Sequence, residues 1–488
     1  MEKLRSFLLE NKTNRQTFFK NSFWLVAGNI VSKILRGGLI ILAARILQTE
    51  GYGIYAYALS FAGFFTIFSD IGLSSLLTRE LTKHRGEDIN SYIATTFYVK
   101  IFLVALSVAL TALVGPHFTK IAEVRTLMPI VAFLTAFDSM RGFFYSITRS
   151  ANQMEIEARS ILLTEISIDS LSVAALLIHP AASWVLFAYV IGDAIGCLAI
   201  GWRTRSIWLP AMKKHFDKKL VKQIVGSAWP FAIMGLLGSF MINIDSIVIG
   251  WFRSTYELGL YAAAQKPVQL LYILPSLFST GLFPIITKMA HQNEKKDVEN
   301  ATNKLFRGVI LIALPITFGG IVLGQSLVNF IFGASYAGAA LTFELLLLTL
   351  APVFAGIVWG NVIFAYDKQK IFIITSLVGA ILNTGLDFIL IPSYGLPGSA
   401  VATIISQLAS NGYTWYKLNK IVAVPIFKGL GRGIFATALM CLAVFGMMAI
   451  GISIIPTIIA GMIMYPLLLA LFKEPLLKSI PIVDRFVR

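Results

Sequence analysis

Residues 22–44 read SFWLVAGNIVSKILRGGLIILAA. As a helix rising 1.5 Å per residue this stretch is ~35 Å long, enough to cross the ~30 Å hydrocarbon core of a bilayer. Its interior polar positions are Asn29, Ser32, Lys33 and Arg36. A charge at mid-helix costs about 2.5–3.5 kcal/mol on insertion scales, so two cations at the centre of a spanning run call for a partner, a cavity or a ligand. Thirteen more apolar runs follow, at 53–76, 92–114, 126–147, 160–178, 183–202, 225–250, 258–286, 306–324, 338–364, 371–391, 397–416, 431–450 and 453–472. Acids interrupt the fourth, fifth and sixth runs. Only helices and closed barrels satisfy the backbone inside lipid, and runs this long without alternation predict helices.

The whole chain agrees. Of 488 residues, 57% are hydrophobic and 14% charged, against about 25% charged in a soluble domain. The mean hydropathy is +0.76. A cytosolic enzyme and a disordered chain are both excluded. The net charge is +16, and the cations cluster between apolar runs, so a membrane surface explains them better than nucleic acid. With the N-terminus in the cytoplasm, all Lys and Arg outside the spans fall on the cytoplasmic side except Arg45, Lys120, Arg125 and Arg253. That asymmetry predicts fourteen spans with both ends inside. The two cysteines, Cys197 and Cys441, lie in separate apolar runs and imply neither a disulfide framework nor a metal site.

A repeat divides the chain. In 41–60 (ILAARILQTEGYGIYAYALS) and 247–266 (IVIGWFRSTYELGLYAAAQK), Gly53 matches Gly259, Tyr55 matches Tyr261, Ala56 matches Ala262 and Ala58 matches Ala264. Both copies straddle the first outside loop of their half, and six spans separate them, which predicts a parallel repeat. The expected organisation is a cytoplasmic lead-in over 1–20, an N-lobe of six spans over 21–202, a basic cytoplasmic linker over 203–224, a C-lobe of six spans over 225–416, and two further spans with a tail over 417–488. Glycines four apart (Gly192/Gly196, Gly320/Gly324, Gly356/Gly360) read as close helix packing. Prolines 267, 275 and 284 predict bends in the eighth span.

Ionisable residues inside spans are the candidate site. Lys33 and Arg36 share a face at i,i+3. Arg141 has Asp138 one turn earlier. Lys266 precedes Pro267. Lys100 lies near a span end, from which it can also snorkel. Cations lining a cavity attract an anion: two unit charges at 4 Å interact by about 4 kcal/mol at an effective dielectric of 20. Glu165 and Asp169, at i,i+4, form a candidate proton site, and Asp245 and Asp138 are further ion-coupling candidates. The plainer alternative for each is an ion pair tying helices together. No phosphate loop, catalytic constellation or metal cluster appears, so no enzyme activity, cofactor or metal is expected.

The stretch from Asn21 to Ser60, with L-A-A-R-I-L-x-x-E-G-Y-G-I-Y-A-Y-A, and the second copy, N-I-D-S-I-V-I-G-W-F to G-L-Y-A-A-A-Q-K, resemble the Wzx-type polysaccharide-lipid flippases of the multidrug/oligosaccharidyl-lipid/polysaccharide exporter (MATE-like) superfamily. The resemblance implies two six-helix lobes around a cationic cavity. It implies flipping of an undecaprenyl-diphosphate-linked oligosaccharide from the cytoplasmic to the outer leaflet of a bacterial inner membrane, by alternating access, with H+ or Na+ coupling. The implied partners are the lipid-linked cargo, membrane lipids, a polysaccharide polymerase and a chain-length regulator. Ser32-Lys33 is similar to the Ser-Arg of the lipid II flippase branch; Arg36 and Gly37 fall out of step with that motif, so only Lys33 carries over. Two other readings stay open: an organic-cation antiporter of the same fold, which would favour in-span acids without mid-span cations, and a membrane polymerase, which would need a large outside loop.

Overall fold

The computed structural model describes residues 14–83, 88–212, 216–292, 294–426 and 428–476. The lead-in over 1–13, Lys213 and Lys214 of the basic stretch, and the tail beyond 476 lie outside the described residues. Every regular element among the described residues is helical. Among the described residues, ten helical segments are long and apolar enough to cross a membrane. The chain divides into two compact units, 1–259 and 260–488.

The first unit opens with α1 (Asn14–Asp70), whose 57 residues would span ~85 Å if straight, far more than one crossing. It is kinked at Gln48, which takes φ 56°. The left-handed region is costly for a non-glycine residue, and the Gln48 Nε2 offsets part of that by donating to the Arg45 carbonyl at 2.7 Å. The predicted outside loop is thus compressed into a single-residue kink.

The predicted second span, 53–76, does not run through. It breaks at Ile71 (φ 39°) and Gly72 (φ 76°), and α2 (Leu73–Lys83) follows. A Cβ on Gly72 would come within 2.7 Å of the Ala232 backbone nitrogen, so glycine is required both for the turn and for the approach of a distant helix.

Next come α3 (Asp88–Ala109), continued by a π turn and a 3-10 turn to Phe118, then α4 (Ala122–Ser150), α5 (Met154–Ile178), α6 (Ala182–Met212) and α7 (Lys218–Phe252). The acid-interrupted fourth to sixth runs therefore form α4, α5 and α6. The stretch expected as a linker, 203–224, is helical over 203–212 and 218–224, and the first compact unit extends past it to include α7.

Two glycine contacts fix the packing of this unit. A Cβ on Gly192 would lie 2.6 Å from the Ile168 backbone, so α6 lies directly on α5. Gly53 and Gly259, the repeat-related pair, press on each other's segment: a Cβ on Gly53 would lie 2.8 Å from the Gly259 nitrogen, and one on Gly259 would strike the Thr49 carbonyl. Beneath these contacts Leu77, Ile93, Phe143, Phe144, Ile147 and Ile200 form a buried core.

The boundary between units falls inside α8 (Thr255–Leu271). The second unit continues with α9 (Leu274–His291), α10 (Lys295–Val322), α11 (Gly324–Phe332), α12 (Ala340–Leu347), α13 (Leu350–Ala365), α14 (Gln369–Asn419), α15 (Gly431–Ala449) and α16 (Ile454–Leu471). The break between α8 and α9 precedes Pro275, as its missing N–H and ring predict. The 51 residues of α14 are kinked at Gly395 (φ 62°), between Pro392 and Pro397. The last two helices dock on α10: the Tyr465 hydroxyl donates to the Leu311 carbonyl at 2.7 Å, and Arg307 pairs with the buried Glu474.

Candidate functional site

The first unit holds a polar pocket of about 370 Å³ between α1, α4 and α5. From α1 come Leu25, Asn29 and Ser32, spaced to share one helix face. From α4 come Arg141, Tyr145 and Arg149, again one face at four-residue spacing. From α5 come Glu157, Ile161, Thr164 and Glu165.

Charge compensation dominates the geometry. Arg36, one turn beyond Ser32, makes a bidentate pair with Glu165: its Nε donates to Oε2 at 2.9 Å and its Nη2 to Oε1 at 2.7 Å. Its Nη1 donates to the Tyr189 hydroxyl, and the guanidinium lies 4.9 Å from the Tyr189 ring centroid. Arg141 pairs with Asp138, one turn earlier, and with Asp193 of α6. Arg149 grips the buried Glu157 across the α4–α5 turn, with bonds of 2.6, 2.9 and 3.1 Å. Deeper toward the N-terminus, the buried Lys20 lies 3.0 Å from Glu155. A guanidinium–carboxylate fork satisfies several donors and acceptors at once, which is how charges persist in a low-dielectric interior.

The expected residues therefore separate. Arg36, Arg141 and Glu165 converge on the pocket or its edge, but as paired charges rather than a bare cationic lining. Asp169 lies one turn beyond Glu165, and its Oδ1 is buried without a hydrogen-bond partner among the described residues. Lys33 does not line the pocket; it sits half-buried on the neighbouring face of α1, about 60° round from Arg36 at 100° per residue. Among the described residues Lys33 has no carboxylate within ion-pair distance. Lys100 is fully buried and pairs with Asp70, which also accepts from Ser74 Oγ at 2.6 Å. Asp245 is buried on α7. Lys266 belongs to the second unit, where its Nζ lies 3.4 Å from Gln269 Oε1.

Sequence reasoning missed Tyr189, Asp193, Arg149 and Glu157 as members of the network. Asp193 and Tyr189 are brought in by α6, which no local pattern links to Arg36 or Arg141. Arg149 and Glu157 were hidden because 148–159 reads as a charged loop, whereas α4 reaches Ser150 and α5 starts at Met154.

Residues 18–290 match the family described as polysaccharide biosynthesis protein, and 230–389 match the MatE family. The chain is 22% identical over 410 residues to a capsular polysaccharide biosynthesis protein, CapF, of Staphylococcus aureus, covering 82% of this chain and 99% of the relative. It is 22% identical to a putative O-antigen transporter of Shigella flexneri, covering 79% and 94%. Among solved structures, the inward closed conformation of the lipid II flippase MurJ superposes with a TM-score of 0.77 at 18% identity, covering 92% of this chain and 99% of that one. That likeness carries the fold.

Proposed function

The chain belongs to the polysaccharide biosynthesis protein family, and from that membership we propose that it is a flippase moving a lipid-linked saccharide across the membrane, the polar pocket of its first unit receiving the headgroup. It is a transport protein, not an enzyme. Our finer reading is an oligosaccharide on undecaprenyl diphosphate, carried from the cytoplasmic to the outer leaflet of an inner membrane by alternating access. Fourteen crossings fit the chain: the ten apolar segments, the second half of α14, two from α1 across its kink, and one from α8 with α9.

The observation that carries this reading is the guanidinium–carboxylate network around an open polar pocket inside a bundle of apolar helices. Each saccharide hydroxyl costs several kcal/mol in hydrocarbon without a partner. Asn29, Ser32, Tyr145 and Thr164, with the rims of the ion pairs, offer donors and acceptors in its place. The isoprenoid tail needs no protein groups and stays in lipid.

The diphosphate meets Lys33 first on its way to the pocket, because among the described residues that ammonium has no carboxylate within ion-pair distance. Arg36 follows by exchanging Glu165 for a phosphate oxygen. A guanidinium forks onto phosphate as well as onto carboxylate, so the exchange is nearly even for Arg36. It is not even for Glu165, which is left beside Asp169 with no cation between them. Glu165 and Asp169 are therefore the first candidates for coupling to H+ or Na+, with Asp138 and Asp245 as secondary ones.

The test is complementation of a bacterial host lacking its own flippase for a surface polysaccharide. Lys33→Ala combined with Arg36→Ala abolishes the polysaccharide while immunoblots still find the protein in the membrane. Full polysaccharide in the double variant overturns the site assignment.

A further inference from the structure

A second pocket lies at the other end of the first unit. It encloses about 350 Å³ where the turns after α3 meet the end of α7, and it is lined by His117, Phe118, Lys120, Arg125, Trp251 and Phe252. That volume falls in the range of small-molecule sites. Arg125 and Tyr145 are twenty residues apart on α4, ~30 Å along the helix axis. This is the hydrocarbon thickness of a bilayer, so the two pockets open at opposite faces.

Three features set the second pocket apart. First, its cations are where topology disfavours them: Lys120 and Arg125 are two of only four Lys and Arg residues that the positive-inside pattern leaves on the outer side. Second, they are uncompensated. The Arg125 Nε donates to the Thr119 carbonyl at 2.9 Å, which holds the guanidinium; among the described residues neither Nη group has a hydrogen-bond partner. No carboxylate lies within ion-pair distance of Lys120 or Arg125 among the described residues, in contrast to Arg36, Arg141 and Arg149. Glu123, the nearest acid in sequence, pairs with neither of them. Third, the wall is aromatic. Trp251 Nε1 donates to the Phe118 carbonyl, which braces the indole against the bend. Indole and phenyl side chains at a span end belong to the interfacial level of lipid headgroups.

We propose that this pocket binds the phosphate of a lipid headgroup in the leaflet opposite the first pocket, namely the diphosphate of the cargo after passage. The inference rests on the flippase reading above. A guanidinium fork with a neighbouring ammonium suits a phosphate, and the aromatic wall suits a ligand that arrives from lipid rather than from bulk water.

The test is hydrogen–deuterium exchange on the full chain in detergent micelles, with undecaprenyl diphosphate as probe. Exchange over 115–126 slows on adding the lipid. In Lys120→Gln/Arg125→Gln the same protection needs about tenfold more lipid or more, as expected for losing two charge-assisted contacts. Arg45→Gln removes a charge from the same side, outside the pocket, and behaves as the unaltered chain. Exchange elsewhere is unchanged in both variants, which shows that they fold. Protection over 115–126 that persists undiminished in Lys120→Gln/Arg125→Gln overturns the proposal. So does equal protection by phosphatidylglycerol at the same concentration, which would make the pocket a general phospholipid contact. Protection confined to 25–36 and 141–165 overturns this inference and leaves the flippase reading standing; protection nowhere overturns both.

Discussion

Removing Arg36 alone and removing it together with Glu165 separate a transport role from a structural one. The pair is bidentate, with the Arg36 side chain 28% exposed and that of Glu165 11%. Deleting one partner of a buried pair costs about 3–5 kcal/mol, because the other charge is left without compensation. The partial exposure of Arg36 places Arg36→Ala near the lower end, about 3 kcal/mol. Arg36→Ala/Glu165→Ala leaves no stranded charge. What it still loses is the cation–π contact and hydrogen bond to Tyr189, about 1 kcal/mol. Arg36→Ala/Glu165→Ala should therefore be about 2 kcal/mol more stable than Arg36→Ala, read from SDS unfolding followed by tryptophan fluorescence. Transport then decides the role. If Arg36 hands itself from Glu165 to a phosphate, Arg36→Ala and the double variant both fail to flip cargo in proteoliposomes, although the double variant is nearly as stable as the unaltered protein. If the pair only ties α1 to α5, restored stability brings restored transport. A stable, fully active double variant refutes the reasoning.

Lys100 provides the contrasting case. Lys100→Met strands Asp70 and should cost up to about 3 kcal/mol, whereas Lys100→Met/Asp70→Asn should recover most of it and transport at the normal rate; loss of transport in the stable double variant would return Lys100 to the cargo path. Gly53→Ala and Gly259→Ala should each destabilise by about 1–3 kcal/mol through overpacking against backbone, the reverse of the gain that alanine gives in an open helix. Unchanged SDS unfolding in either would show that α1 and α8 do not approach as closely as their glycines indicate.

The ten segments long and apolar enough to cross a membrane were legible because lipid makes one demand on each of them: about 20 apolar residues whose backbone satisfies itself. That demand is local, so even the acid-interrupted α4, α5 and α6 followed from it. The bends were legible only where a residue announces them without help. Pro275 does so for the break after α8. Gln48 and Ile71 do not, since a left-handed non-glycine residue is held by what surrounds it, and the need for Gly72 is set by α7, more than 150 residues away in sequence. The site divides along the same line. The cost of Lys33, Arg36 and Arg141 could be read from their depth, and the Asp138–Arg141 pair from i,i+3 spacing. The pairs Arg36–Glu165, Lys100–Asp70 and Arg141–Asp193 join different helices, and no periodicity contains them.

Compensation is what the sequence could not supply, and it changes the expected mechanism. A cavity of bare cations would bind a diphosphate tightly on entry and release it slowly. A pocket whose guanidinium groups are already matched by carboxylates holds the headgroup only as far as those carboxylates give way, so its affinity is set by a near-even exchange rather than by raw attraction. Transport needs binding that is sufficient at entry and reversible at exit. On the proposed orientation, the entry pocket has compensated cations, while in the far pocket no carboxylate among the described residues lies within ion-pair distance of Lys120 or Arg125. Phosphate then moves from sites where it must compete for positive charge to one where it need not. That ordering favours passage between the pockets but sets no net direction across the membrane, which needs a cargo, voltage or ion gradient; it makes the carboxylates at Glu165 and Asp169, rather than the arginines alone, the residues that time the headgroup's departure from the entry pocket.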